Sequence, residues 1–353
     1  MNRQITDTIS RTTLGKYSST DSVLVTTLGK YPSTDTILRT KISNQANKKS
    51  SHTTNTVLMI RPARFGFNTQ TAATNSFQNT GNGPSSEKIQ MMALNEFNKF
   101  HKCLEGLGIK VLVENDTIDP VKPDSIFPNN WFSTHRDNNR AVLVIYPMLA
   151  ENRRPEVRED IIASLIENYE YEKLDLREMY KKEKFLEGTG SIVFDKKFKR
   201  AYASLSERTD EKLVLALCEE LGFVPMIFNT SDNGKSIYHT NVILSIGENF
   251  AVFCPEVIPN KIQRDRMSKS LQTGREVIFI NKEQVRKFAG NIIQLKNLSG
   301  EYVLVLSETA MKSLSDEQID KLFELNHHIL CPIIPTIETI GGGGARCMIA
   351  EIF

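Results

Sequence analysis

Short apolar runs alternate with longer amphipathic stretches from Thr56 to the last residue, and the alternation lays out elements. Residues 57–60 (Val-Leu-Met-Ile) and 110–114 read as strands. Between them, 87–107 reads as a helix carrying Ile89, Leu94, Phe97, Phe100 and Leu104 near one face, stopped by Gly106 and Gly108. The pattern then recurs. A strand at 141–146 precedes a helix at 156–169, and strands at 191–194 and 200–203 precede a helix at 210–221. Strands at 240–245 and 251–253, a helix at 261–271, strands at 277–280 and 302–306 and a helix at 316–325 complete it. Strand pairs separated by single helices predict one α/β domain of similar units over 56–353. No Gly-x-Gly-x-x-Gly follows an early strand, which disfavours a dinucleotide fold.

Residues 1–55 differ: they are rich in Ser, Thr, Asn and Lys, and Thr12–Asp21 is nearly repeated as Thr26–Asp35. Such a composition buries little and two copies do not make a solenoid, so a disordered or loosely attached tail is expected.

The 353 residues, 40% hydrophobic and 24% charged, are enough for a large buried core. The net charge of +2 spreads over 44 basic and 42 acidic residues without a basic stripe, which argues against a nucleic-acid partner. No run approaches the roughly 20 apolar residues of a membrane helix, so no membrane partner is expected and the cytoplasm is the default location. Five cysteines, an odd number without a Cys-x-x-Cys pair, suggest neither a disulfide framework nor a zinc site.

One thiol has an unusual setting. Gly341-Gly-Gly-Gly344 leads through Ala345 and Arg346 to Cys347, at the start of a short apolar strand. A glycine run can be a linker, and it can cradle phosphate, but a phosphate loop needs Gly-Lys-Ser/Thr opening a helix. A presented nucleophile fits better. Such a thiol needs a proton manager, and His239 in Tyr238-His-Thr-Asn241 sits at the mouth of an apolar strand, while His135 closes Trp131-Phe-Ser-Thr-His135. Glu187, in Glu187-Gly-Thr-Gly190, is a carboxylate on a glycine-flanked turn; Asp124, Asn129 and Asn130 share a short segment with Trp131. Taken singly, each also reads as an ordinary structural residue.

Together, Asp124-x-x-Phe127, Glu187-Gly-Thr-Gly190, Ser206-Glu-Arg-Thr209, His239-Thr-Asn241 and Gly341 to Cys347 resemble the guanidine-modifying (pentein) superfamily of arginine deiminases, dimethylarginine hydrolases and amidinotransferases. The phrases Phe127 to His135 and Gly343 to Cys347 are most similar to its bacterial amidinotransferase-like or citrulline-utilisation hydrolases. The resemblance covers about 56–353. It implies a five-bladed α/β propeller of ββαβ units with pseudo-fivefold symmetry and a site in the central channel. It also implies that Cys347 attacks a guanidino or ureido carbon, that His239 protonates the leaving amine and then activates water, and that Glu187 holds the imidazole. Asp124, Phe127, Asn129, Asn130 and Asn241 would line the substrate and Arg208 would clamp its α-carboxylate, with a second arginine from Arg153 or Arg154, of which Arg154 is taken. No cofactor is implied, and the partner is a small amino-acid substrate; a homodimer stays open.

The chain departs from that pattern at Asn241, where deiminases carry Asp, and at Asn129 and Asn130, where the hydrolases commonly carry carboxylates. Losing these anions favours a neutral ureido group, citrulline going to ornithine being the sharpest version, while Asp124 and Glu187 keep substituted guanidines in play. An amidinotransferase, a non-catalytic binding module, and a metal site of His135, His239 and Cys347 are the alternatives.

Overall fold

A computed structural model describes residues 23–27, 52–79, 84–137 and 140–353. Its strands form five small sheets of one design: an antiparallel pair, then a crossover to a third strand parallel to the second. The first unit takes its opening strand from Ala350–Ile352, which pairs antiparallel with Thr56–Arg61; that strand runs parallel to Lys110–Asn115. The second uses Phe132–Arg136, Ala141–Ile145 and Glu172–Asp175, and the third Ile192–Asp195, Arg200–Leu205 and Val224–Asn229. The fourth is Leu244–Ile246, Phe250–Phe253 and Glu276–Phe279. The fifth is Ile293–Lys296, Tyr302–Val305 and His328–Pro332.

A helix fills each crossover, because a parallel return cannot be made by a tight turn. These helices are Ser86–Gly106, Glu159–Tyr169, Glu211–Leu221, Lys261–Leu271 and, in the fifth unit, Asp316–Glu324 after the shorter Glu308–Ser313. Ser85 caps the first through the backbone N–H of Lys88, and Phe97, Phe100 and Leu104 on its inner face are fully buried. First strands of consecutive units lie side by side, Ala350–Ile352 against Phe132–Arg136 and Leu244–Ile246 between Ile192–Asp195 and Ile293–Lys296. Arg275 of the fourth unit reaches Asp195 of the third through two bonds of 2.6 and 2.8 Å, with both side chains buried.

Part of the stretch expected to be a loose tail is packed. His52, Thr53 and Thr54 are buried, His52 Nε2 donates to the carbonyl of Ile246 at 2.8 Å, and Lys296 N donates to Thr54 O. Val23–Thr27 forms an antiparallel strand on His328–Pro332, whose outer edge would otherwise leave its backbone groups unpaired. The internal repeat, apart from Thr26 and Thr27, lies outside the described residues. Among the described residues no helix is long and apolar enough to cross a membrane.

Candidate active site

Each first strand is entered through a tight turn, and these turns converge. Pro128–Asn130, Gly188–Ser191, Thr240–Val242 and Ala345–Met348 are short helical turns, and Asn291, which donates its N–H to Phe288 O, ends the equivalent turn before Ile293–Lys296. The turns abut so closely that a side chain does not fit at some contacts. At Gly188, with φ +47°, a Cβ would lie 2.3 Å from Asn129 O; at Gly190 it would lie 2.5 Å from Asn130 Nδ2 and 2.8 Å from the His239 ring.

Cys347 is buried at the edge of an apolar cluster that includes Phe127 and Met348. Its Sγ accepts from Asn291 Nδ2 at 3.2 Å and, at a longer 3.8 Å, from Asn241 Nδ2. Burial raises the thiol above its ordinary pKa, against the opposing pull of Asn291, Arg346 and Asn241. The resting sulphur is therefore protonated. The glycines ahead of it lie against Phe127 and Asn75, whose Nδ2 donates to the carbonyls of Gly341 and Gly342 at 3.4 Å.

His239 Nε2 meets Glu187 Oε2 at 2.8 Å, with both residues buried. Glu187 also accepts from Leu149 N at 3.1 Å and from Arg208 Nη1 at 3.3 Å. Burial works against its charge, but Arg208 and then His239 outweigh it and hold the carboxyl well below the usual range. Burial lowers His239 to about 4, Glu187 resisting only in part. An anionic Glu187 beside a neutral imidazole fixes the tautomer: Nε2 donates to the carboxylate and Nδ1 is left to exchange protons.

Asp124 is buried, its Oδ2 bonded to Asn68 Nδ2 at 2.7 Å and Thr71 Oγ1 at 3.2 Å, and burial raises its pKa against the charges of Arg153 and Arg208. Arg208 Nη2 donates to Thr71 O and to Thr74 Oγ1, and its guanidinium lies 4.8 Å from the centre of the Tyr238 ring. Both are committed to the segment Asn68–Asn75 that covers the site.

Of the two adjacent arginines, the structure brings Arg153 to the site. It binds Glu156 at 2.9 and 2.8 Å and Asn130 Oδ1 at 2.9 Å, whereas Arg154 points outward to Glu151 and lies over the Tyr180 ring. The turn Glu151–Glu156 has about three residues per turn, so neighbours in it face different ways. Burial lifts Glu156 to about 7 in spite of Arg153. His135 is also elsewhere, on Phe132–Arg136, bonded to Ser133 and packed on Phe194, so the structure does not assemble it with His239 and Cys347 as a metal site. Among the described residues no group of three His, Cys, Asp or Glu is placed to hold a metal ion.

A small cavity of about 20 Å³ remains, lined by Cys347, His239, Asp124, Asn130, Arg153 and Arg208 together with Phe127, Tyr238 and the glycine run. Glu187, Asn129 and Asn241 stand behind this lining. Asp124 Oδ1, Asn241 Oδ1, Asn291 Oδ1 and Asn130 Nδ2 are buried without any hydrogen-bond partner. Of these, Asp124 and Asn130 belong to the lining of the cavity, and Asn241 and Asn291 stand behind it on the side of the sulphur; buried polar atoms left unpaired are costly. Sequence reasoning missed Asn291. Its signal was positional: it stands two residues before a first strand, as Asn130 does, but in Gly290-Asn-Ile-Ile293 nothing else sets it apart.

The family model described as "N,N dimethylarginine dimethylhydrolase, eukaryotic" matches residues 61–353. No curated protein sequence matches the chain. Among solved structures, the fold is similar to the substrate-bound N-terminal domain of ArgZ, an arginine dihydrolase from the ornithine-ammonia cycle in cyanobacteria, with TM-score 0.65 and 15% identity over 84% of this chain and 97% of that one. Unliganded AgrE gives TM-score 0.66 and 17% identity over 84% of this chain but 39% of its own. A dimethylarginine dimethylaminohydrolase carrying a chlorinated pyridine adduct gives 0.57 and 16%, covering 84% of this chain and 98% of that one.

Proposed function

The chain belongs to the eukaryotic N,N dimethylarginine dimethylhydrolase family, and from that premise we propose that it is a cysteine-dependent hydrolase of the ureido group of a free amino acid, with citrulline as substrate. In this reading the five units close into a five-bladed propeller about a pseudo-fivefold axis, and the converging turns are the mouth of its central channel. Cys347 is the nucleophile, His239 the acid and base, and Glu187 the group that orients the ring.

The observation that carries the choice of substrate is the set of orphaned atoms. Asn130 is held the right way round by Arg153 on its Oδ1, so its Nδ2 faces the ligand as a donor. Asn291 is held by its bond to Asn241 O, so its Oδ1 is an acceptor. The lining therefore offers an orphaned donor, Asn130 Nδ2, beside an orphaned acceptor, Asp124 Oδ1, with the unpaired amide oxygens of Asn129, Asn241 and Asn291 behind them. A ureido group brings one carbonyl oxygen and three N–H bonds; a guanidinium brings five N–H bonds and no acceptor, leaving Asn130 unmet. Charge points the same way, since two guanidinium groups and a single carboxylate line the cavity.

In the reaction, a bond forms between Sγ and the ureido carbon while the thiol proton passes through His239 to the departing amine. The C–N bond breaks, ornithine leaves, and a carbamoyl group stays on the sulphur. Water, deprotonated by His239, then releases carbamate, which decomposes to carbon dioxide and ammonia, and the thiol is restored.

The test is incubation with L-citrulline, L-arginine and asymmetric dimethylarginine, with assay of ornithine, citrulline, dimethylamine and ammonia. Ornithine and ammonia from citrulline are expected. Turnover of the guanidines alone would overturn the substrate, and turnover of none would overturn the enzyme.

A further inference from the structure

Asp124 and Asn130 each keep one buried polar atom unpaired at the cavity, and the other end of each side chain is tied to a single turn, Glu151–Glu156. For Asp124 the link is Asn68, whose Nδ2 donates to Oδ2 at 2.7 Å and whose Oδ1 accepts from Asn152 Nδ2 at 2.7 Å. For Asn130 the link is Arg153, whose Nη1 donates to Oδ1 at 2.9 Å. An amide has a donating and an accepting end, so whatever grips one end decides what the other offers a ligand.

Arg153 is itself gripped. Glu156 takes its Nε and Nη2 edge at 2.9 and 2.8 Å, a two-pronged contact between two buried side chains. Nη2 also donates to Phe127 O at 3.4 Å. Nε once, Nη2 twice and Nη1 once make four bonds from a group that has five N–H donors. The fifth, on Nη1, has Glu187 Oε2 at 3.9 Å, beyond hydrogen-bond reach. A forked clamp on a ligand carboxylate needs two neighbouring N–H bonds, and Arg153 has one to give.

We propose that Glu156 is a positioning residue for substrate choice: it anchors Arg153, Arg153 fixes the amide of Asn130, and the fixed Nδ2 is the donor that selects a ligand bearing a carbonyl oxygen. The identity of that ligand rests on the ureido-hydrolase reading above, whereas the chain from Glu156 to Asn130 rests on the distances. Glu156 lines no part of the cavity and acts only through Arg153. Without its carboxylate a buried cation loses its partner, and the nearest remaining anions are Asp124 Oδ2 at 3.8 Å and Glu187 Oε2 at 3.9 Å. A guanidinium drawn to them lets go of Asn130 Oδ1, and the amide no longer presents its nitrogen to the cavity by necessity.

The test is a double-mutant cycle of Glu156→Gln and Asn130→Ala at about pH 8, above the value of about 7 to which burial lifts Glu156. Two rates are read: kcat/KM for L-citrulline, and alkylation of Cys347 by iodoacetamide, a neutral reagent whose amide carbonyl asks for the same donor, followed by peptide mapping. Each single variant should lower both rates by about tenfold or more, and the double variant should fall no further than Asn130→Ala alone. The pH midpoint of Cys347 alkylation should stay in place, because Asn291 and Asn241, which donate to the sulphur, are untouched. A general loosening of the fold would instead make the losses additive or move that midpoint. Either result overturns the proposal, as does a Glu156→Gln protein that reacts at the native rate. If Glu156→Gln does not fold, Arg153→Met/Glu156→Leu replaces the buried pair with apolar side chains and takes its place in the cycle, with the same outcomes. Absence of citrulline turnover in the native protein would strike the functional reading, and the alkylation cycle would still decide the role of Glu156.

Discussion

Replacing Asn291 by leucine removes the shorter of the two amide donors on the Cys347 sulphur. Hydrogen bonds to a thiolate favour it, so the thiol should rise further above its ordinary pKa. The rate of Cys347 alkylation, followed against pH, should shift to higher pH in Asn291→Leu, and turnover near neutrality should fall by about tenfold or more. An unchanged profile would show that the amide has no hold on the sulphur. His239 makes a second prediction. Its pKa is about 4 when folded and near 6.5 when unfolded, so the unfolded chain binds the extra proton between these values. Its contribution to stability is complete above about pH 6.5 and is lost as pH falls towards 4, at about 1.4 kcal/mol per pH unit for one proton. Denaturant midpoints measured from pH 7 to 4 should therefore decline less steeply in His239→Gln than in the native protein. The residues whose neighbours in sequence are unusual, such as Cys347 after four glycines, were legible from sequence. Asn291 was not, because an asparagine before a strand is ordinary until its turn is seen to meet Cys347. Nor could Arg153 be told from Arg154, since that choice depends on the rotation of a single turn.

The turns, considered as elements, depend on backbone closeness more than on side-chain bonds. Gly190→Ala places a methyl group on Asn130 Nδ2 and the His239 ring while leaving a backbone angle that alanine tolerates. A displacement of about 1 Å in a catalytic group can cost about a hundredfold in rate. Gly190→Ala should thus lose about that much activity with its melting temperature lowered by only a few degrees, in contrast to Gly188→Ala. At Gly188 the positive φ and the contact with Asn129 O add strain of about 1–3 kcal/mol, visible in denaturant titration. Among the regular elements, the helix expected over 261–271 coincides with Lys261–Leu271 and the other expected helices differ by a few residues at their ends, whereas the strand expected over 240–245 is a short helical turn, Thr240–Val242, followed by Leu244–Ile246, and the strands Phe132–Arg136, Val224–Asn229, Ile293–Lys296 and His328–Pro332 were not read from the sequence. Among the strands that escaped the sequence is Glu172–Asp175, because Glu-Lys-Leu-Asp carries no apolar alternation. It is held by its parallel pairing to Ala141–Ile145, a long-range partner that periodicity does not encode.

For the molecule as a whole, the units must be fastened to each other as well as folded. The buried Arg275–Asp195 pair, reinforced by Arg275 Nε on Gly247 O at 3.0 Å, ties the fourth unit to the third. Arg275→Met strands a buried carboxylate and should lower stability by about 3–5 kcal/mol, whereas adding Asp195→Asn should recover part of the loss. Equal denaturant midpoints for single and double variants would show that the charge itself is not what the site senses. The α/β character was readable because apolar runs alternate with amphipathic helices at similar spacing, whereas the number of units came with the family resemblance and not from the periodicity. What periodicity could not supply is that Ala350–Ile352 returns to Thr56–Arg61, pairing the end of the domain with its beginning. That return has a temporal side. A ribosome delivers Asn130, Glu187, His239 and Asn291 before it delivers Cys347, and the strand that seats the sulphur follows later still. A product halted upstream by a premature stop lacks Cys347, so under the proposed function cells that make fragments of this protein make no partly working hydrolase.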